Sequence, residues 1–220
     1  MILYYITDRQ QFPGDAAEQR RRLLAKISEA VRAGIDYIQL REKDLLSGEL
    51  EILARDAAAL LADGQGSRTR LLINSRSDVA LACGAAGVHL TSNDISAGDA
   101  RALWMNSRQR PPVLAVSCHS VAEVRMAESQ GANFAVLAPI FGKGSAPGIG
   151  LDLLREACGQ VQAPEHTESA PHLFGFPVVA LGGVTLDNAA ACVVAGAAGI
   201  AGIRIFQEQD VEDVVRKLRA

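Results

Sequence analysis

The sequence predicts an α/β protein built as a single (β/α)8 TIM barrel over residues 1–220. Three observations predict it. Eight short apolar runs alternate with longer amphipathic stretches. A glycine recurs just ahead of four of those runs. Polar residues and glycines gather at the C-terminal end of nearly every run, where barrels of this class keep their chemistry.

The runs are Ile2–Ile6, Tyr37–Leu40, Leu71–Ile73, Gly87–Leu90, Val113–Val116, Phe134–Ala138, Val178–Leu181 and Gly199–Ile203. Most are nearly continuous and rich in Val, Ile and Leu, as parallel strands buried on both faces should be. After the first run, Leu23, Leu24, Ile27, Ala30 and Val31 recur at three- and four-residue steps, which predicts a helix over Ala16–Ala33. Leu50–Leu61 and Val211–Leu218 repeat the pattern, with Ser47 and Asp210 as expected N-caps. Gly34, Gly84, Gly131 and Gly196 each close a helix just before a strand. They stand 50, 47 and 65 residues apart, the length of two strand–helix units. The last interval is longest because residues 160–175, QVQAPEHTESAPHLFG, read as a surface loop insertion. A doubly wound open sheet is the competing architecture, but TDRQQFPG after the first strand lacks its glycine-rich fingerprint.

Composition bounds the function. Hydrophobic residues make up 49% and charged residues 21%, ordinary values for a globular chain. With 22 basic and 25 acidic side chains the formal charge is −3, so no net positive field collects nucleic-acid phosphates. No apolar run approaches the roughly 20 residues that cross a bilayer, and MILYYITDRQ has no basic lead into an apolar segment. Neither a membrane nor a nucleic acid is expected as partner, and the expected location is cytoplasmic. Cys83, Cys118, Cys158 and Cys192 are 35, 40 and 34 residues apart with no CxxC pair, which reads as thiols in a reducing compartment. Trp104 and Met105, in a helical segment, are expected to pack.

The strand ends carry the candidate chemistry. They read Thr7-Asp8, then Gln39 to Lys43, Asn74-Ser75-Arg76, His89 leading to Asp94, Ser117-Cys118-His119-Ser120, Gly142-Lys143-Gly144-Ser145, Gly182-Gly183 and Arg204. Gln39, Arg41 and Lys43 alternate, so they share one face toward the barrel mouth. Two cations there want a polyanion such as a diphosphate, or else an internal ion pair with Glu42 or Asp8. Asp94 and Asp8 are possible Mg2+ ligands, since Mg2+ takes one or two carboxylates plus phosphate oxygens; the alternative for Asp94 is a helix cap. Gly182-Gly183 reads as a phosphate cradle of bare main chain or as a tight turn. Arg204 reads as a fixed cation beside it or as half of a surface salt bridge. His119 is a candidate general acid or base, or merely a hydrogen-bonding partner of the chain. A Cys118–His119 nucleophilic pair is disfavoured, because adjacent residues at a strand end point opposite ways.

YYITD, YIQLREK, LLINSRSDVAL, GVHLTSNDI, AVSCHS, APIFGKG and VVALGGVTLDN, in this order over nearly the whole chain, resemble the thiamine phosphate synthase and thiazole tautomerase (TenI-like) superfamily. The resemblance implies a barrel enzyme of thiamine biosynthesis acting on small phosphorylated molecules. The synthase joins hydroxymethylpyrimidine diphosphate to thiazole phosphate. Mg2+ helps the diphosphate leave, and the thiazole nitrogen captures the pyrimidine cation. By motif, Gln39, Arg41, Lys43 and Asn74 would hold the pyrimidine diphosphate. Asp94 would bind Mg2+, Ser117 would contact the pyrimidine or the diphosphate, and Lys143 would neutralise the departing phosphates. Gly182, Gly183 and the end of strand eight, Arg204 included, would bind thiazole phosphate. Three positions depart from the synthase pattern. Ser75 stands where a second carboxylate is usual, the FGKGSAPG loop lacks the usual threonines, and Arg204 stands where a serine is common. Tautomerase members often lack that carboxylate and move a proton with a histidine on strand five, a role His119 fits. The alternatives are therefore a metal-independent isomerase using His119, or a non-catalytic thiamine-phosphate binding homologue. Oligomeric state is left open, a homodimer included.

Overall fold

Strand β1 (Ile2–Ile6) pairs in parallel with β2 (Tyr37–Leu40) on one side and β8 (Gly199–Gly202) on the other, so the sheet closes on itself. Between them run β3 (Arg70–Asn74), β4 (Gly87–Leu90), β5 (Val113–Cys118), β6 (Phe134–Leu137) and β7 (Val178–Ala180), each paired with its sequence neighbours. The order β1 to β8 is a (β/α)8 barrel, as expected from the sequence. This computed structural model describes residues 1–63, 68–107, 110–142, 147–159 and 175–220. The expected insertion at 160–175 lies, apart from Gly175, outside the described residues.

The helices are α1 (Ala16–Ala33), α2 (Ser47–Asp63), α3 (Ser77–Cys83), α4 (Ala97–Asn106), α5 (Val121–Ser129), α6 (Gly150–Ala157), α7 (Ala189–Val194), α8 (Arg204–Gln207) and α9 (Val211–Arg219). Helix α1 shows how local chemistry sets the ends. The Asp15 carboxylate accepts from the Glu18 amide at its start, and Gly34 closes it at φ 80. The repeat glycines Gly84, Gly131 and Gly196 also have positive φ. Asp210 caps α9 through the Asp213 amide, as expected. Ser47 does not cap α2. It is the first helical residue and its hydroxyl accepts from Arg76 at 2.9 Å. Trp104 is buried as expected, whereas Met105 faces outward with 58% exposure. Among the described residues no helix is long and apolar enough to cross a membrane.

Side chains alternate along each strand and build two layers. Leu3, Tyr5, Ile38, Leu40, Leu71 and Ile73 point outward and pack under the helices. Tyr4, Ile6, Leu72, Ala115, Phe134 and Val136 fill the barrel itself. Tyr4, Tyr37 and Phe134 meet there with ring centroids 5.1 to 6.0 Å apart. Each large side chain withdrawn from water contributes roughly 1.5–3 kcal/mol. The inner filling changes toward the C-terminal rim, where Gln39 and His89 replace aliphatic residues yet remain buried.

Candidate active site

A parallel barrel places the C-terminal ends of all its strands on one rim. Just below it, hydrogen bonds cross the interior. Gln39 Nε2 on β2 donates to Tyr4 Oη at 3.1 Å. Tyr4 Oη lies 3.0 Å from His89 Nδ1, and His89 Nε2 lies 2.7 Å from Ser117 Oγ on β5. Burial drives the His89 pKa down to about 3, with the Arg41 cation adding to the effect and the Asp94 carboxylate opposing it. The imidazole is therefore neutral at physiological pH. That Arg41 and Asp94 both act on His89 places the ends of β2 and β4 around one point.

Strand β2 ends at Leu40, so the alternation does not extend through Lys43, which lies exposed in a turn. Arg41 is half-buried, and its amide donates to Thr7 Oγ1 at 3.0 Å. Glu42 does not neutralise these cations. It is buried beside Arg9, whose amide and guanidinium both donate to it, and Thr7 Oγ1 donates to it at 2.6 Å. Burial raises the Glu42 pKa, and the Thr7 and Arg9 hydrogen bonds oppose the rise. Arg9 also grips Asp44 through two contacts of 2.6 Å. Asp8 accepts from Gln11 rather than from a cation. Among the described residues, neither Arg41 nor Lys43 forms an ion pair, so the internal-pair reading of this ribbon fails.

At the ends of β3 and β4, Asn74 Nδ2 donates to Ser75 Oγ at 3.0 Å. Ser75 Oγ, the Thr91 amide and Thr91 Oγ1 all donate to Asp94 Oδ2, at 2.8, 2.6 and 2.8 Å. Asp94 is thus not a helix cap; Ser96 caps α4. Thr91, Asp94 and Ser117 line a hollow of about 240 Å³ between the ends of β4 and β5 and helices α4 and α5. Among the described residues no three His, Cys, Asp or Glu side chains are grouped to hold a metal. One carboxylate with one oxygen tied down fits a Mg2+ that takes its remaining ligands from phosphates and water.

On the far side, Gly182 and Gly183 have φ of 94 and 65. A Cβ on Gly182 would sit 2.7 Å from Pro139 Cα, and one on Gly183 would sit 2.8 Å from Phe141 Cβ. The Ile140 and Phe141 amides donate to Leu181 and Gly182 carbonyls, so the β6 and β7 loops run pressed together. Packing alone accounts for both glycines. Asn188 Nδ2 donates to the Gly183 carbonyl at 3.0 Å, and among the described residues the Gly182 and Gly183 amides make no hydrogen bond. Arg204 is exposed and opens the short helix α8 rather than ending β8. His119 is exposed, and its Nδ1 donates to the Ala138 carbonyl at 2.8 Å, which leaves Nε2 as an acceptor. Cys118 points the other way into the helical shell, where burial pushes its thiol up to about 12, so it is no nucleophile. Lys143 lies outside the described residues.

Sequence reasoning missed Tyr4 and left His89 as a mere strand end. A histidine inside the apolar strand GVHL was the available signal. Arg9 was missed because its partners lie 33 and 35 residues away.

A family model described as thiamine monophosphate synthase matches residues 3–206. The thiamine-phosphate synthase of Methanoculleus marisnigri is 36% identical over 231 residues, covering 99% of this chain and 93% of that one. The thiamine-phosphate synthase of Methanoregula boonei is 34% identical, covering 99% and 91%. The solved structure of a thiamine phosphate pyrophosphorylase from Pyrococcus furiosus superimposes with a TM-score of 0.76 at 28% identity, covering 99% and 93%.

Proposed function

Since the chain belongs to the thiamine monophosphate synthase family, we propose that it joins hydroxymethylpyrimidine diphosphate to thiazole phosphate, giving thiamine phosphate and diphosphate. One observation carries this reading: the family match runs from β1 into α8 and so includes every loop of the rim.

The reaction breaks the bond between the pyrimidine methylene carbon and the diphosphate oxygen, whose electron pair leaves with the diphosphate. The thiazole nitrogen then supplies the pair for the new C–N bond. The protein's task is to hold two anions in line and to stabilise charge on the leaving one. Arg41 and Lys43, cations without an ion pair among the described residues, neutralise the diphosphate, a role that the family resemblance also gives Lys143. Gln39, Asn74 and Ser117 orient the pyrimidine diphosphate. Asp94 would hold a Mg2+, which would supply further positive charge to the leaving group. The thiazole phosphate lies against the Gly182 and Gly183 amides with Arg204 nearby. Burial of His89 as a neutral ring keeps a competing charge out of the interior. Four free thiols, all buried or half-buried, suit a reducing cytoplasm.

Incubating the folded protein with both substrates and Mg2+ tests the reading. Thiamine phosphate and diphosphate should form in equal amounts; a folded preparation that forms neither overturns it. One observation favours a second, isomerase activity at the same rim: His119 donates through Nδ1, which leaves Nε2 free to take a proton. Thiazole aromatisation that persists in EDTA and disappears in His119→Ala would establish it, and activity surviving the substitution would remove it.

A further inference from the structure

The orientation of the Gln39 amide sets the polarity of the bonds from Gln39 to Ser117. Gln39 Nε2 can only donate, so Tyr4 Oη accepts at 3.1 Å. The single phenolic proton then goes to His89 Nδ1, 3.0 Å away. A neutral imidazole with an accepting Nδ1 carries its proton on Nε2, which donates to Ser117 Oγ at 2.7 Å. Ser117 has thereby spent an acceptor lone pair, and its own proton is left for the rim. Reversing the Gln39 amide would reverse each bond and turn the Ser117 proton inward, onto His89. Gln39, Tyr4 and His89 are all buried, so water does not scramble the order.

We infer that Tyr4 and His89 are positioning residues: they transmit the orientation of the Gln39 amide across the barrel and hold the Ser117 hydroxyl as a donor toward substrate. The matching ligand presents a hydrogen-bond donor to Gln39 Oε1 and an acceptor to Ser117. An aminopyrimidine carrying a phosphate ester has both. This deepens the proposed synthase reading and rests on it for the identity of that ligand, but not for the relay itself. Neither Tyr4 nor His89 need touch substrate. Arg41 adds to the arrangement, because its charge disfavours a second proton on His89, while Asp94 opposes it.

Two measurements test the inference on the full chain. In ligand-free protein with 15N-labelled histidine, long-range proton–nitrogen correlation should show His89 unprotonated at Nδ1 and protonated at Nε2, unchanged between pH 5 and 8. Protonation at Nδ1 overturns the relay. Tyr4→Phe removes one oxygen, and Ser117→Ala removes the terminal hydroxyl. Each should lower kcat/KM for the pyrimidine diphosphate about tenfold and leave the KM for thiazole phosphate unchanged. The double variant should lose no more than Ser117→Ala alone, because both changes delete the same contact. Losses that multiply, or a fall shared with the thiazole KM, mean that Tyr4 is merely structural and overturn the proposal. If Tyr4→Phe fails to fold, the imidazole signature decides alone. If the unaltered chain makes no thiamine phosphate, the synthase reading fails, while the same signature still decides the relay.

Discussion

The Ser75 hydroxyl donates a hydrogen bond to Asp94 Oδ2 at 2.8 Å, and so bridges the ends of neighbouring strands with a neutral group. The sequence departs from the synthase pattern at this position, and the consequence falls on Asp94. It is steered by Ser75 and Thr91 so that Oδ2 is committed, while Oδ1 accepts no hydrogen bond among the described residues. Asp94→Asn keeps the hydrogen-bonding shape and removes the charge. Steady-state turnover against Mg2+ concentration should show kcat/KM falling about 100-fold with little change in Tm. Retention of Mg2+-dependent turnover would show that another group holds the cation.

The Arg9–Glu42 pair anchors the loop that carries Arg41 and Lys43. Removing one partner of a buried pair leaves the other charge without compensation. Arg9→Met should cost about 3–5 kcal/mol in urea unfolding, because Glu42 then stays buried without its cation. Arg9→Met combined with Glu42→Leu should cost much less, since no buried charge remains and Asp44, 41% exposed, is left in water. An Arg9→Met cost below about 1 kcal/mol would show that water reaches Glu42.

His89 makes stability depend on pH. Its folded pKa is about 3, against an ordinary 6.5. Below pH 6.5 the unfolded chain takes up a proton that the native ring refuses. The contribution is therefore complete above 6.5 and is lost on acidification toward 3, by up to about 1.4 kcal/mol per pH unit. Asp44, Asp78 and Asp213 are held below their ordinary 3.8 by their cationic partners, so they enter at lower pH. Glu42, raised by burial, has the opposite sign. Comparing His89→Gln with the unaltered chain by denaturant unfolding at pH 7, 6 and 5 isolates the His89 slope. Parallel stability curves would refute it.

Gly182→Ala sets backbone strain at φ 94 against a contact of 2.7 Å with Pro139 Cα. Main chain cannot step aside as a flexible side-chain tip can. A loss of about 2–3 kcal/mol and several degrees of Tm is expected by calorimetry. An unchanged Tm would mean that the β6 and β7 loops part readily.

The barrel was legible because its signals are local. Period, apolar runs and the glycine before a strand all lie within a few residues, and Ile2–Ile6, Tyr37–Leu40, Gly87–Leu90 and Ala16–Ala33 fall where those signals put them. What was not legible depends on register between strands. Nothing near Ser117 announces that His89, 28 residues earlier, reaches its hydroxyl. Nothing near Glu42 announces Arg9. The turn Arg9–Gln11 and helix α8 are too short to carry a period. The glycine pair taught the converse. A loop signature that invites a ligand reading is also what two tightly apposed loops require.

The seam between β1 and β8 has a consequence for biogenesis. The register Tyr5↔Gly202 joins segments almost two hundred residues apart. On the ribosome, β1 emerges early and must keep one flank unpaired until β8 has been synthesised. Throughout that interval the nascent sheet is an open ribbon with two sticky borders, and β8 is the clasp that removes both at once.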